Sequence, residues 1–323
     1  MKLRKCIFHY KNMAVLMALL LAGDASLVAQ RPVSEAVDAG VEYSCVSVPD
    51  RLEFCGETID LTRFDRHERM DRELLAFCYM HSTSLQIIKR ANRYFPVVEP
   101  ILADNGVPDD FKYLMAIESN VDPLARSGVG AAGLWQFMPE TGREFGLTVN
   151  NHVDERYHVE KATRAACKYL KQAYANYKSW ISVAAAYNAG QARIARELQR
   201  QYADEALDLH LVTETARYVY RILAVKQLLA DPRSFGFRLR ASDLYPPVPY
   251  REIKVTRTIE DLPRFAKQQG INYALLRHLN PWIRSQTLPV HGGQQYALRI
   301  PDAEGMYYSP RVTLPHNPAW VVE

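Results

Sequence analysis

Between residues 61 and 235, apolar residues recur at three- and four-residue steps. Ile87, Ile88, Ala91, Phe95, Val98 and Leu102 make one such face. Ala162, Ala165, Ala166, Tyr169, Ala173 and Tyr177 make a second, and Tyr218, Ile222, Val225 and Leu229 a third. A stripe at that period is what a helix buries against its neighbours. The stretch is therefore predicted to be one all-helical domain. Pro96 and Pro100 interrupt the first face and are expected to kink or break its helix. Asn105-Gly-Val-Pro108 reads as a stop and turn. Asp109 and Asp110 then offer acidic caps to a further helix that runs to Glu118.

The character of the chain changes at Asp231-Pro232 and again at Tyr245-Pro-Pro-Val-Pro249. Residues 236–250 read as a Pro-rich linker. Beyond them Ile253–Thr258 alternates like a strand. Two short helical stretches follow, Ile259–Gln269 and Tyr273–Leu279, then a second strand over Gln295–Pro301. Residues 251–303 are thus expected to form a small α+β unit of order βααβ, with 304–323 as a tail. No internal repeat is present. At 323 residues the chain has room for about two domains, which is what this division supplies.

The first 29 residues have a different purpose. Lys2, Arg4, Lys5 and Lys11 precede the apolar run Met13–Ala22, and small residues lead to a cleavage site after Ala29. Ten apolar residues are too few for a bilayer span, which needs about 20. The pattern is that of a secretory signal peptide, and the mature protein is expected in the periplasm. Four bases and one acid lie in this leader, so it holds most of the formal charge of +4. The remainder is near neutral and gives no reason to expect nucleic acid as a partner. Leu20-Leu-Ala-Gly23 begins like a lipoprotein box. Asp24 stands where the lipid-bearing cysteine belongs, and Cys6 comes too early, so no lipid anchor is predicted. Residues 30–60 show no helical period and are expected to form an extended arm.

An exported chain permits disulfides. Cys45 and Cys55 flank Val46–Phe54, which could be a hairpin turning at Pro49-Asp50, and a bridge between them is one option. Cys78 and Cys167 lie among apolar helix residues and read as buried free thiols. The scattered cysteines and histidines do not have the spacing of a metal site. Phosphate-binding, dinucleotide and calcium motifs are absent as well. No cofactor is expected.

Chemistry is suggested by four fragments in order. They are Met115-Ala-Ile-Glu-Ser-Asn-Val-Asp-Pro123, Gly133-Leu-Trp-Gln-Phe-Met-Pro139, Ala185-Ala-Tyr-Asn-Ala-Gly190 and Glu214-Thr-Ala-Arg-Tyr-Val219. In isolation Glu118 would be a solvated residue at a helix end. Its neighbours Leu114, Met115 and Ile117 suit an apolar pocket, and burial there would raise its pKa and make it a general acid. Most glycosidases pair such an acid with a second carboxylate. Asp122 is a poor candidate because Pro123 disfavours helix at that position. Asp154 and Glu155, ahead of Arg156, read as a brace at a helix start.

Together these fragments resemble the lytic transglycosylases of bacterial cell-wall metabolism, nearest to the membrane-bound lytic murein transglycosylase D type. The resemblance implies a lysozyme-like, all-helical catalytic domain and Glu118 as its only acid-base residue. It implies cleavage of peptidoglycan between N-acetylmuramic acid and N-acetylglucosamine, with a 1,6-anhydro product. It gives Ser127 a contact near the C6 oxygen of the reacting sugar, with a turn-former beside Gly128 as the rival reading. Gln136 has the donor and acceptor an acetamido group needs. Met138 is an apolar wall or a core residue. Trp135 and Phe137 replace the Met and Ile of the family pattern. Gly130 and Gly133 point to positive φ or close backbone approach. Tyr187 and Asn188 belong to the sugar site by resemblance, with a buried structural Tyr187 as the rival. Glu214 and Tyr218 share a helix face and shape the cleft, though Tyr218 also heads an apolar stripe. Ser119 is assigned to the backbone turn after Glu118.

The βααβ segment resembles a LysM module, carried by Leu279-Asn-Pro281 and Leu298-Arg-Ile-Pro301. Thr256-Arg-Thr258 stands where that pattern has Gly-Asp-Thr. The expected partner is the peptidoglycan glycan strand, bound by a monomer. Two other readings remain: a hydrolytic muramidase acting on the same bond, and a non-catalytic wall-binding scaffold.

Overall fold

The computed structural model describes residues 45–308 and 313–322. The expected leader, its Asp24 and the first part of the arm lie outside the described residues. Element order is β1 (Arg51–Phe54), β2 (Glu57–Asp60), α1 (Phe64–Tyr79), α2 (His81–Asp104), α3 (Phe111–Ser119), α4 (Pro139–Glu144), α5 (Val159–Tyr177), α6 (Trp180–Ala189), α7 (Gln191–Gln201) and α8 (Thr213–Ala230). Then come β3 (Tyr250–Val255), α9 (Leu262–Gln268), α10 (Tyr273–Leu279) and β4 (Tyr296–Pro301). The class is mainly helical, with the βααβ unit where the alternation placed it. No helix among the described residues is long and apolar enough to cross a membrane.

The first core is built around α6, whose Ile181 and Val183–Ala186 are all buried. A helix apolar on every face has to sit inside others. It lies against α5, α7 and α8, while α8 also meets α1 and α3. The second core holds Val255, Leu262, Ala266, Leu276, Leu298 and Ile300, where β3 and β4 pair antiparallel. It is completed by Ala132, Val153 and Tyr157 from the helical part. An antiparallel bridge joins Val153 to Ile283. Asp154 N–H donates to the carbonyl of Trp282 at 2.8 Å, and Arg284 N–H to that of His152 at 2.8 Å. Arg299 of β4 pairs with Glu160 of α5. Burial alone would raise the Glu160 carboxyl, but His158 and Arg299 bring it down to about 2. The pair therefore stays charged at any ordinary pH.

Four expectations are changed. Pro96 and Pro100 lie inside α2, which continues through them. Both are exposed, and Phe95, Val98, Ile101 and Leu102 hold the helix to the core. Asp110 makes no side-chain cap; it accepts from Cys55 N–H at 2.7 Å and from Lys226 Nζ at 2.8 Å. The Cys45–Cys55 disulfide does not form, and all four described cysteines are free. The hairpin turns at Cys55-Gly56, with Arg51 opposite Asp60, so Cys55 occupies the turn at φ 55° and Cys45 precedes the paired region. Finally, the Pro-rich stretch and tail are fastened to the helices. Asn92 and Arg93 donate to the carbonyls of Tyr245 and Pro246. Trp320 is buried against Phe95, and its Nε1 donates to Leu229 O at 2.7 Å.

Trp320→Ala is expected to cost about 3 kcal/mol, because the cavity opens into the main core. Urea unfolding followed by circular dichroism checks this; a midpoint equal to wild type would show that the tail contributes nothing.

Candidate active site

Glu118 lies in the last turn of α3, among buried Leu114, Met115 and Ile117, and is itself half-buried. The helix then ends abruptly. Asn120 and Val121 both take left-handed conformations, with φ of 51° and 56°. For a β-branched residue that is an unfavourable conformation, costing roughly 1–3 kcal/mol. Full burial of the Val121 side chain offsets it. Ser119 Oγ donates back to Met115 O at 3.1 Å, and Asp122 N–H to Ser119 O at 3.0 Å. Arg90 of α2 braces the turn from outside. It donates to Asn120 O at 3.2 Å and pairs with Asp122 at 3.2 Å. Nothing in the sequence pattern singled out Val121 or Arg90.

The Tyr218 hydroxyl of α8 donates to Oε1 of Glu118. Burial is the main influence on the Glu118 carboxyl and raises it. The Tyr218 hydrogen bond and the charge of Arg221 act downwards, the charge of Glu214 upwards, and the result is about 7. The negative end of the α3 dipole works in the same direction as burial. Tyr187 also feels the site: burial and then the Glu118 charge raise its phenol well above the usual range. Tyr218 is raised for the same two reasons. Tyr218, Tyr187, Glu214 and Arg221 thus surround Glu118 electrostatically, and Arg221 is absent from the motif reading. Its signal was available, since it follows Tyr218 by three residues on one helical face.

The loop between α3 and α4 is a separate construction. Ser127 N–H donates to Ala131 O at 2.9 Å, and Ser127 Oγ accepts from Ala131 N–H at 3.0 Å, closing a tight turn. Gln136 has φ 48°, and its Nε2 donates to Ala125 O at 3.1 Å and Gly133 O at 2.8 Å. Both amide hydrogens are committed within the loop, and Oε1 remains without a partner among the described residues. Neither Ser127 nor Gln136 hydrogen-bonds to Glu118. Trp135 is fully buried, with Nε1 donating to Thr163 Oγ1 at 2.9 Å. Its carbonyl accepts from the Tyr187 hydroxyl at 2.6 Å, which fastens the loop to α6. Asn188, the next residue on α6, is half-exposed, and its amide has no hydrogen-bond partner among the described residues. Met138 is exposed, as are Leu124 and Val129 on the same loop. These last two apolar residues were not anticipated.

The candidate second carboxylates are otherwise engaged. Asp122 accepts from Leu124 N–H at 2.9 Å besides pairing with Arg90. Asp154 is buried and bonds Arg156 through both oxygens, at 2.9 and 2.7 Å. Glu155 accepts from Thr148 N–H at 2.8 Å and pairs with Lys161. Glu214 is exposed and, among the described residues, is the one other carboxylate whose charge reaches Glu118. No cluster among the described residues has the ligands to hold a metal ion. A pocket opens at the seam with the βααβ unit, lined by Arg93, Tyr94, Tyr157, Tyr250, Trp282 and Arg299 among others; Glu118 does not line it.

Since Glu118 binds its proton more tightly folded than unfolded, its contribution to stability is present below pH 4.5 and is lost as pH rises towards 7. Glu118→Gln is therefore expected to match wild type at pH 4 and to exceed it by about 3 kcal/mol at pH 8. Denaturant titrations at the two pH values check this, and an equal difference at both would refute the raised pKa. In carbon-13 spectra the Glu118 carboxyl of Tyr218→Phe should titrate above the wild-type midpoint, because a hydrogen bond favouring the anion is gone.

Residues 98–209 match the family described as the transglycosylase SLT domain. Residues 251–304 match the soluble lytic transglycosylase C-terminal LysM-like domain. Over 232 residues the chain is 28% identical to the membrane-bound lytic murein transglycosylase D of Escherichia coli (strain K12), covering 70% of this chain and 50% of that protein. The chain thus spans about half the length of the curated relatives it matches. Among solved structures it is similar to an inactive mutant of the lytic transglycosylase Slt from Pseudomonas aeruginosa. There the identity is 24% and the TM-score 0.34, covering 42% of this chain and 23% of that one. For the 70 kDa soluble lytic transglycosylase of Escherichia coli the identity is 22% and the TM-score 0.35, covering 44% and 25%. Likeness at that level carries no argument about the site.

Proposed function

For a chain carrying a transglycosylase SLT domain and, after it, a soluble lytic transglycosylase LysM-like domain, we propose the activity of an exported peptidoglycan lytic transglycosylase. In this reading residues 61–235 are the catalytic module and 251–303 the appended one. The observation that carries it is the state of Glu118. This carboxyl is raised to about 7, touches Tyr218, and has no second carboxylate bonded to it.

A carboxyl titrating near neutrality holds its proton on a sizeable fraction of molecules at pH 7 and can surrender it readily. Glu118 donates that proton to the bridging oxygen as the bond after N-acetylmuramic acid breaks. The sugar's own N-acetyl group stabilises the cation-like centre left at C1. Glu118, now an anion, is held by the Tyr218 hydroxyl. It then removes the proton from the C6 hydroxyl, whose oxygen attacks C1 and closes the 1,6-anhydro ring. Proton and charge balance over the cycle, and no water is consumed. Gln136 Oε1 and the Asn188 amide are the groups left to meet the acetamido substituent, with Met138 as an apolar edge. Ser127 keeps a hydroxyl hydrogen to offer near C6.

Glu214 gives the hydrolytic alternative its one foothold, because its charge reaches Glu118. A base that held water there would give reducing ends. Mass spectrometry of digested sacculi separates the two: anhydro products are lighter than hydrolysed ones by one water. Wild type is expected to release the lighter species. Glu118→Gln should lose about a thousandfold or more of the rate, while Glu214→Gln keeps most of it. Reducing ends from wild type, abolished in Glu214→Gln, would overturn the transglycosylase mechanism. Clearance by Glu118→Gln at the wild-type rate would remove Glu118 from it.

A further inference from the structure

Glu214, Tyr218 and Arg221 follow one another at steps of four and three residues along α8, and so lie on one face. Tyr218 of that face reaches Glu118 through its hydroxyl. Arg221, one turn further on, is half-buried. Several other arginines of the helical module are matched: Arg66 with Glu205 and Asp208, Arg90 with Asp122, Arg156 with Asp154, Arg217 with Glu73. Arg221 has neither an ion pair nor a hydrogen bond among the described residues. Its charge acts on Glu118 and on Tyr218 alike.

This placement works against the protein's own chemistry. A cation beside a general acid favours the acid's ionised form. It also leaves five guanidinium hydrogens without use in a partly desolvated place. Both costs disappear when an anion arrives. Glycan strands of peptidoglycan are neutral along their sugars, so an anion on the substrate has to be a carboxylate carried by the muramoyl residue. In a strand without peptide this is the lactyl carboxylate; in a complete strand it belongs to the stem.

Resting on the activity proposed above, we propose that Arg221 binds a carboxylate carried by the muramoyl residue at the cleaved bond. The guanidinium matches a carboxylate through two parallel hydrogen bonds. Formation of that pair cancels the positive charge felt by Glu118 and returns the carboxyl towards its neutral form. The substrate thereby arms the acid that cleaves it. A polymer of uncharged amido sugars leaves Arg221 unpaired and Glu118 less protonated. Arg221 would therefore select muramoyl strands over such polymers, in addition to any fit of shape. The groups acting on Glu118 are Tyr218, Glu214 and Arg221 of α8 and Tyr187 of α6; of these Arg221 alone is a cation.

The test uses wild type, Arg221→Gln and Arg221→Lys on stem-bearing and stem-free strands, each also with its carboxylates converted to amides. Wild type should lose roughly 10- to 100-fold in kcat/KM when the carboxylate is amidated, the scale of a charge-assisted bidentate contact. Arg221→Gln should show the same loss on the unmodified strand and none further on the amidated one. Arg221→Lys should recover part of it. A loss confined to stem-free strands assigns the lactyl carboxylate, and one confined to stem-bearing strands assigns the stem; both support the inference. The alkaline limb of kcat/KM for Arg221→Gln should move to higher pH, since the cation opposing the neutral acid is gone. Arg221→Gln equal to wild type on every substrate would overturn carboxylate binding and leave the transglycosylase reading intact. So would an equal loss on amidated and unmodified strands, which would mark a purely structural residue. Wild type inert on all four would defeat the transglycosylase reading itself.

Discussion

Arg156 and Asp154 form a buried pair on which several parts of the molecule converge. Arg156 bonds both oxygens of Asp154 and reaches the carbonyls of Gly130 at 2.8 Å and Phe137 at 2.9 Å, the two ends of the Gly133 loop. The backbone of Arg156 lies so close to Gly133 that a Cβ there would stand 1.8 Å from its carbonyl oxygen. Gly133 also has φ 77°, so both sterics and backbone conformation exclude a side chain. The chain at Asp154 meets the second module through the carbonyl of Trp282. Two charges taken out of water contribute little net stability, yet losing one partner costs several kcal/mol. The pair therefore acts chiefly to specify how the loop and the two modules sit.

From that anchored loop the order passes to the acid. Trp135 is held in the core by Thr163, and its carbonyl holds the Tyr187 hydroxyl. Tyr218 of α8 bonds Glu118 directly, Tyr187 of α6 feels its charge, and burial of the carboxyl raises its pKa. The protein sets that value by opposition. Burial and Glu214 push it up, while Tyr218 and Arg221 pull it down. An acid left to burial alone would hold its proton too firmly, and one beside a cation alone would already have lost it.

Helical stripes and the βααβ alternation were readable because each depends on residues a few positions apart. Gly133 was readable for a related reason: glycine between larger neighbours marks backbone that comes close to something. The failures concern contacts that the local pattern does not show. Pro96 and Pro100 look like breakers until their exposed side of α2 is known. Cys45 and Cys55 look like the ends of one hairpin until the pairing of Arg51 with Asp60 moves the turn to Cys55. Trp320 lies in a tail of no evident pattern, yet it seals the core beside Phe95. Asp110, a capping residue by position, is drawn away by Lys226, more than a hundred residues later.

From sequence alone came the mainly helical class, the small βααβ unit and the choice of Glu118 as the residue to watch. Each is a matter of local period or of short motifs, which chain order preserves. Tertiary structure alone decided what Glu118 is chemically. Desolvation depends on all surrounding atoms together, and those atoms come from α3, α6 and α8. It also separated residues that the motifs had grouped. Ser127 and Gln136 serve their own loop first, and Tyr218 makes the direct contact. Arg221, outside the four fragments, is the one cation acting on the acid among the described residues. Charge and burial act through space, so their balance at Glu118 could not be read from the order of residues.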